Sequence, residues 1–280
     1  MMLPTLVTTA IAVGVCYAVI ASAVAVAAVA TRTLHLAVGT VAAAGLVVAL
    51  GAGVSEVTGI PTWLAVLAGL LVGGLLSAGV YLAAAWRRSD PTVVLVGIVV
   101  AAALVDAALA SLASGRSVRP DPLVAPEVIP PTAVAIVLGL VAALGLHAVL
   151  RLTRFGRRLR IAGASPDAAA RLGIRVTGIR VTAFGLAGVA ATFAAVLAAP
   201  ILTFGPAQAA GLTIRGVAAA AIVSTGPIGA VVGGLTLGAV EVAGQRIWPA
   251  AGGSVGVTLV VVGVLIARGP EAARRWGRSW

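Results

Sequence analysis

Nine apolar runs, most of them about 20 residues long, follow one another through this 280-residue chain, and the short stretches between them hold nearly all of its charge. They cover residues 5–30, 36–53, 63–86, 92–113, 132–150, 181–202, 209–223, 228–244 and 255–267. A run of about 20 residues, wound as an α-helix, matches the ~30 Å hydrocarbon core of a bilayer. In lipid every backbone N–H and C=O must be satisfied by the protein itself, which leaves only helices and closed barrels. Barrel strands would be about 10 residues long with period-two alternation, and these runs show neither property. Only 10% of the residues are charged, against about 25% in a soluble domain, so a water-soluble core of this size would lack polar surface. The expected fold is therefore all-α: a single polytopic transmembrane helix bundle of about 8–9 spans, residues 1–280. The seventh run is short and flanked by Gly205-Pro206 and Gly226-Pro227, so it reads either as a crossing or as a partial helix. The first run has no positive segment before it and exceeds the apolar core of a signal peptide, so it reads as a retained span.

The net charge of +11 would suit nucleic acid were it not placed beside apolar spans. All nineteen basic residues are arginine. A Walker A motif needs its lysine, so this chain has none, and any ATP that drives it must be bound elsewhere. Fifteen arginines fall on one side of a nine-crossing arrangement: Arg32, Arg87, Arg88, the eight from Arg151 to Arg180, and Arg268, Arg274, Arg275 and Arg278. Four fall on the other: Arg116, Arg119, Arg215 and Arg246. The positive-inside rule then puts the N-terminus outside, the C-terminus in the cytoplasm, and the Pro-rich segment 115–131 in an external loop. Five prolines there (Pro120, Pro122, Pro126, Pro130 and Pro131) forbid regular helix. Small residues recur at four-residue spacing at Gly69 and Gly73, Gly229 and Gly233, and Gly234 and Gly238, which lets helix backbones approach closely. The lone Cys16 reads as a small core residue.

The densest polar stretch is residues 151–180, with eight of the nineteen arginines. Ser165 is a good N-cap, Pro166 suits the first helical position, Asp167 complements the N-terminal dipole and Gly173 is placed to stop the helix. A helix of about seven residues is too short to stand alone in water. It must pack on its own bundle, present its Ala-rich face to a partner, or lie on anionic lipid held by Arg157, Arg158 and Arg160.

This stretch resembles the cytoplasmic coupling loop of LivH/LivM-type permeases, the membrane subunits of branched-chain amino-acid ABC importers. The matching positions are Thr153, Arg154, Gly156, Arg160, Ala162, Ala169, Leu172, Gly173 and Ile174, with Asp167 inside the same short helix. Two further segments agree in order. Gly14-Val-Cys-Tyr-Ala-Val-Ile-Ala21 is similar to that family's opening motif, and Ala230-Val-Val-Gly-Gly-Leu-Thr-Leu-Gly-Ala-Val-Glu241 to its late one. The resemblance implies an ABC importer permease fold in a bacterial inner membrane. It implies no enzymatic activity and no cofactor in this chain, with ATP and Mg bound by a partner ATPase. The implied partners are a second such permease, two ABC ATPase subunits and an extracytoplasmic solute-binding protein, and the cargo a branched-chain amino acid or related small polar solute. The helix of residues 165–172 would seat in the ATPase and transmit its closure. Two segments depart from the family pattern. Residues His35 to Gly39 keep only Ala37 and Gly39 of the usual five, and Ser224 to Ala230 is about two residues shorter. Both contain glycine beside a membrane helix, where broken helices expose backbone near a path. His35, Gly39, Gly226 and Gly229 are candidate path residues on that ground.

Ionisable groups inside spans cost at least ~2.5–3.5 kcal/mol if left in lipid. Asp106, Glu241 and Arg215 qualify. Asp106 and Glu241 either line a path or make structural pairs, with Arg246 a rim partner open to Glu241. His35 and His147 read as satisfied side chains near helix ends, and two histidines with one cysteine make a metal site a poor fit. Two other readings remain open: an ion- or proton-coupled secondary transporter using Asp106 and Glu241, and a permease-like scaffold that has lost transport.

Overall fold

A computed structural model describes residues 2–51, 61–85, 90–112, 129–202, 209–222, 226–249 and 252–275. Among them the chain forms eleven helices and no strand. They are α1 (Met2–Thr31), α2 (Val38–Gly51), α3 (Thr62–Ala85), α4 (Pro91–Leu112), α5 (Pro131–Leu152), α6 (Arg154–Ala164), α7 (Pro166–Arg171), α8 (Val176–Ala198), α9 (Ala209–Ile222), α10 (Gly226–Ile247) and α11 (Gly252–Arg275). Each of the nine apolar runs becomes a helix. Five of the helices, α1, α3, α4, α5 and α8, are long and apolar enough to cross a membrane. Two others, α2 and α9, have 14 residues each, about 21 Å of helix, short of a ~30 Å hydrocarbon core. Most of the Pro-rich loop, along with Arg87, Arg88, Arg116, Arg119 and Arg278, lies outside the described residues.

Side-chain size sorts the helices from the inside outward. α1 is the hub. In its most apolar window 89% of residues are buried, against 22% in α4 and α5, so α1 is central and the other two are peripheral. From Ala12 to Ala30 it is almost entirely Ala, Val and other small residues. Helices in lipid gain little from simple burial of apolar surface, because the lipid is itself apolar. They associate where small residues let backbones come close. The outer helices instead carry the bulk: Leu67, Leu71 and Leu75 on α3, Val100 and Leu104 on α4, and Val141 and Leu144 on α5 are all exposed.

The four-residue glycine spacings fall at these contacts. A Cβ on Gly234 would lie 2.5 Å from the Ala18 nitrogen, and one on Gly238 would collide with Gly14. α1 and α10 therefore touch backbone to backbone. On the other side of the bundle a Cβ on Gly69 would lie 2.5 Å from the Gly45 carbonyl oxygen, and one on Gly73 would collide with Thr192. Overpacking a core costs about 1–3 kcal/mol when side chains can adjust. Here backbone atoms stand in the way. Gly238→Leu is expected to cost at least ~3 kcal/mol, read as loss of the folded fraction in a detergent unfolding titration. Gly145→Leu, where a Cβ meets nothing within 4 Å, should leave the midpoint unchanged.

Candidate functional site

The arginine-rich stretch folds as two helices at an angle, α6 and α7, between α5 and α8. Only the second was expected. α6 begins at an N-cap, with the Thr153 hydroxyl accepting from the Gly156 N–H at 3.1 Å. Gly156, Leu159, Ala162 and Gly163 are buried, while Arg154, Arg157, Arg158 and Ile161 are exposed. That spacing is one face of a helix, laid across the ends of α1 and α5. A Cβ on Gly156 would collide with the Leu150 carbonyl and one on Gly163 with the Val29 carbonyl.

Three arginines secure this end of the bundle by a route that composition does not reveal. A helix leaves its last four carbonyls without intrahelical partners, and cations are favoured there. Arg160 donates to the Leu150 carbonyl at the end of α5. Arg180 donates to the Ala30 carbonyl at the end of α1 at 3.1 Å, and Arg32 to the Ala164 carbonyl at the end of α6 at 2.7 Å. Arg32 holds a left-handed backbone, φ 57°, as the chain turns back after α1.

α7 follows the expected signals closely. The Ser165 hydroxyl accepts from the Ala168 N–H at 3.3 Å, with Pro166 and Asp167 in the first turn. Gly173 has φ +72°. Its N–H donates to the Ala170 carbonyl at 2.9 Å, and that of Ile174 to the Ala169 carbonyl at 3.0 Å, which is a Schellman termination. The orientation corrects one expectation. Ala169, proposed to face a partner, is 0% exposed and packs inward, as do Gly156 and Ala162. The outward surface is Asp167, Ala168, Ala170, Arg171, Gly173 and Leu172, the last 69% exposed.

A second set of polar side chains lies inside the bundle. The Tyr17 hydroxyl donates to Glu241 Oε2 at 2.5 Å. Arg215 Nε donates to the same oxygen at 3.0 Å and Nη2 to Oε1 at 2.9 Å. Glu241 thus pairs with Arg215 rather than Arg246. Arg215 lies within the bundle on α9, and the two-pronged guanidinium satisfies both carboxylate oxygens at once. Side chains lean toward the N-terminus of their helix. Tyr17 on α1 and Glu241 on the antiparallel α10 therefore lean toward each other across the glycine contact. The opening and late motifs, 224 residues apart at these two positions, are one structural unit.

Two residues before Arg215, on another face of α9, a second polar contact is made with the start of α2. Gly39 N–H donates to the Thr213 hydroxyl at 2.9 Å, and a Cβ on Gly39 would collide with the Ala209 carbonyl. The next residue, Thr40, donates to Asp106 Oδ2 at 3.1 Å. His35 lies fully buried beside this helix start, its ring 4.6 Å from that of Phe184 and tilted 50° to it. Ser77 Oγ lies 2.8 Å from its Nε2 and donates its own hydrogen to the Phe184 carbonyl at 2.6 Å. The serine hydrogen being engaged there, Nε2 carries the proton and donates to Ser77, and Nδ1 is left as a buried acceptor without a partner among the described residues. Gly226 opens α10 and Gly229 is buried one turn on. No three His, Cys, Asp or Glu side chains gather to hold a metal among the described residues. Thr40, Thr213 and Ser77 carried no signal in the sequence beyond a hydroxyl inside an apolar run, and Tyr17 stood out only as part of the opening motif.

The fold and this interior define a polytopic helical membrane protein built for close helix contact around two sets of buried polar side chains. The family model described as branched-chain amino acid transport system / permease component matches residues 6–267. The chain belongs to that family and is a membrane-spanning permease component of a transport system. A chain of the solved structure of PsaBC from Streptococcus pneumoniae in complex with Fab has the same fold, with a TM-score of 0.51 and 16% identity, covering 96% of this chain and 92% of that one. No curated protein matches the sequence significantly.

The Glu241–Arg215 pair is expected to be strongly coupled, with side chains only 4% and 18% exposed. Removing one partner of a buried pair costs about 3–5 kcal/mol, whereas replacing both by apolar groups is far cheaper. Arg215→Met alone should destabilise by about 3 kcal/mol, and Arg215→Met with Glu241→Met by less than either single change. Tyr17→Phe, losing one bond to a charged acceptor, should cost about 1.5–3 kcal/mol. Unfolding titrations of the four variants read these differences directly.

Proposed function

We propose that this chain is the permease subunit of an ATP-driven ABC importer of branched-chain amino acids or related small polar solutes. It would sit in a bacterial inner membrane as a single permease domain over residues 1–280, with its C-terminus in the cytoplasm. It would pair with a second LivH/LivM-like permease, two ABC ATPases that bind ATP and Mg, and an extracytoplasmic solute-binding protein. The observation that carries this reading is the α6–α7 elbow. It is capped at both helix starts, closed by a Schellman turn, tied to α5 by Arg160 and to the end of α1 by Arg32, and left with an outward rim on α7. An element of 6 residues has no stability of its own. Held rigidly, it can pass a push from an ATPase into α1, α5 and α8 without bending. The exposed positions for that contact are Arg154, Asp167, Leu172 and Gly173. Gly156, Arg160, Ala162, Ala169 and Ile174 would act from behind by fixing the elbow. No bond is made or broken in this chain.

The rival reading, a proton-coupled transporter, draws on Asp106, whose Oδ1 is buried without a partner among the described residues. Glu241 supports it less, because Arg215 and Tyr17 already occupy both of its oxygens.

Purification from native membranes in mild detergent, with mass spectrometry of the associated proteins, tests the importer reading. Wild type should bring two nucleotide-binding subunits and a second permease, and Leu172→Glu should lose the ATPases while keeping the permease partner. Ala169→Arg should lose both, by breaking the elbow. A chain that purifies alone and transports in vesicles without ATP would overturn this reading. Asp106→Asn then separates the two mechanisms, since ATP-driven uptake should survive it and proton coupling should not.

A further inference from the structure

Beside the elbow a groove of about 480 Å³ opens between α6, the end of α7 and the first turn of α8. Its lining is Arg158, Leu172, Gly173, Ile174, Arg175, Gly178 and Ile179. The volume falls within the ~300–1,000 Å³ of small-molecule sites. Two of its walls are glycine and leave space for further atoms. A Cβ on Gly173 would meet nothing within 4 Å, and one on Gly178 only the Arg175 side chain at 3.8 Å.

The charge of this groove is unbalanced. Three other arginines at this end of the bundle bind helix-end carbonyls. The guanidinium groups of Arg158 and Arg175 make no hydrogen bond or ion pair among the described residues. The start of α8 adds to them. Its N-cap is Arg175, with no side-chain cap, so the first-turn N–H groups of a 23-residue helix are unsatisfied beside the groove. No acidic residue is among the lining. The remaining walls, Leu172, Ile174 and Ile179, are apolar.

Depth decides among anions. α8 is one of the helices long and apolar enough to span, and it begins at Val176. Arg175 and Gly178 therefore stand where hydrocarbon gives way to headgroups. An occupant at that level meets two cations and uncapped N–H groups on one side and aliphatic walls on the other. We propose that this groove is a binding site for an anionic phospholipid. Arg158 and Arg175 would hold its phosphate and Ile174 and Ile179 the first carbons of its chains, with Leu172 at the outer rim left to the ATPase. Bound there, the lipid would brace the elbow against α8, whatever the chain transports. The site differs from a general attraction of the arginine stretch to the membrane, because Arg157 and Arg171 are equally exposed and do not line it.

The test is native mass spectrometry of the chain, with whatever subunits co-purify, exchanged into micelles containing equal phosphatidylglycerol and phosphatidylcholine. Wild type should retain phosphatidylglycerol in preference. Each arginine near an anionic headgroup contributes roughly fivefold in binding, so Arg158→Gln with Arg175→Gln should lower retention about 25-fold, and Arg157→Gln with Arg171→Gln should not. Gly178→Leu, which fills the groove without changing charge, should also abolish retention, and unchanged helicity and melting in both variants separates this from misfolding. Equal retention by wild type and the Arg158→Gln, Arg175→Gln variant would overturn the proposal. So would displacement of the lipid by millimolar glycerol phosphate, which would mark a site for a free anion. Unchanged lipid retention with loss of the ATPase subunits in that variant would make the groove a protein dock and equally sink it.

Discussion

The polar interior of this bundle depends on how closely α1 and α10 approach. Gly14, Gly234 and Gly238 let the two backbones touch, and only at that separation can the Tyr17 hydroxyl reach Glu241 on one side while Arg215 reaches it from α9. A carboxylate in the middle of an apolar bundle is tolerable only when it is paired and fully hydrogen-bonded. Small side chains that seem to contribute only flatness therefore decide whether the one ion pair found among the described residues can form. The same logic governs the second contact region, where Gly45 and Gly73 make room for Thr192, Gly69 lies on the Gly45 carbonyl and Gly188 on that of Gly73, drawing α2, α3 and α8 together.

The two short helices are what make this interior more than a packed core. α2 and α9 both start within the bundle, and their starts meet at Gly39, Thr213 and Ala209. Helix starts carry unsatisfied N–H groups, so a start inside lipid must be placed against a hydroxyl or carbonyl. Here the Thr213 hydroxyl takes the Gly39 N–H. From that junction polar side chains run to Thr40 and Asp106, while Arg215, Glu241 and Tyr17 form the other set. Five helices thus contribute to two polar sets that meet on different faces of α9.

At the arginine-rich end, charge and geometry act together. A positive stretch is expected wherever a loop faces the cytoplasm, and it needs no structure to do so. In this chain Arg32, Arg160 and Arg180 do more, satisfying the last carbonyls of α6, α5 and α1. The elbow is held by the Arg32 and Arg160 bonds and because Gly156 and Gly163 let it lie directly on the helix ends beneath, while Arg180 joins α8 to α1 beside it. Arginine suits this work because its guanidinium presents several donors on a planar fork and stays charged.

The amino-acid sequence by itself determined which segments are helical and roughly where they end. Hydropathy over about 20 residues, and cap residues such as Ser165, Pro166 and Gly173, are local signals, and local hydrogen bonding decides them. It also determined that glycine spacing would mark helix contacts, since only an absent Cβ permits them. What it could not determine was partnership. Glu241 had Arg246 five residues away and Arg215 26 residues away, and spacing favoured the near one, yet the crossing of α9 over α10 chose the far one. Ala169 sat in an Ala-rich helix whose every face read alike, and only packing on the bundle showed that its side is turned inward. The helical character of α6 was hidden because its arginines resemble a solvated loop. It becomes a helix because Leu159 and Ala162 have helix ends to rest on. In each case the deciding contact joins residues far apart in the chain, and no local pattern carries that information.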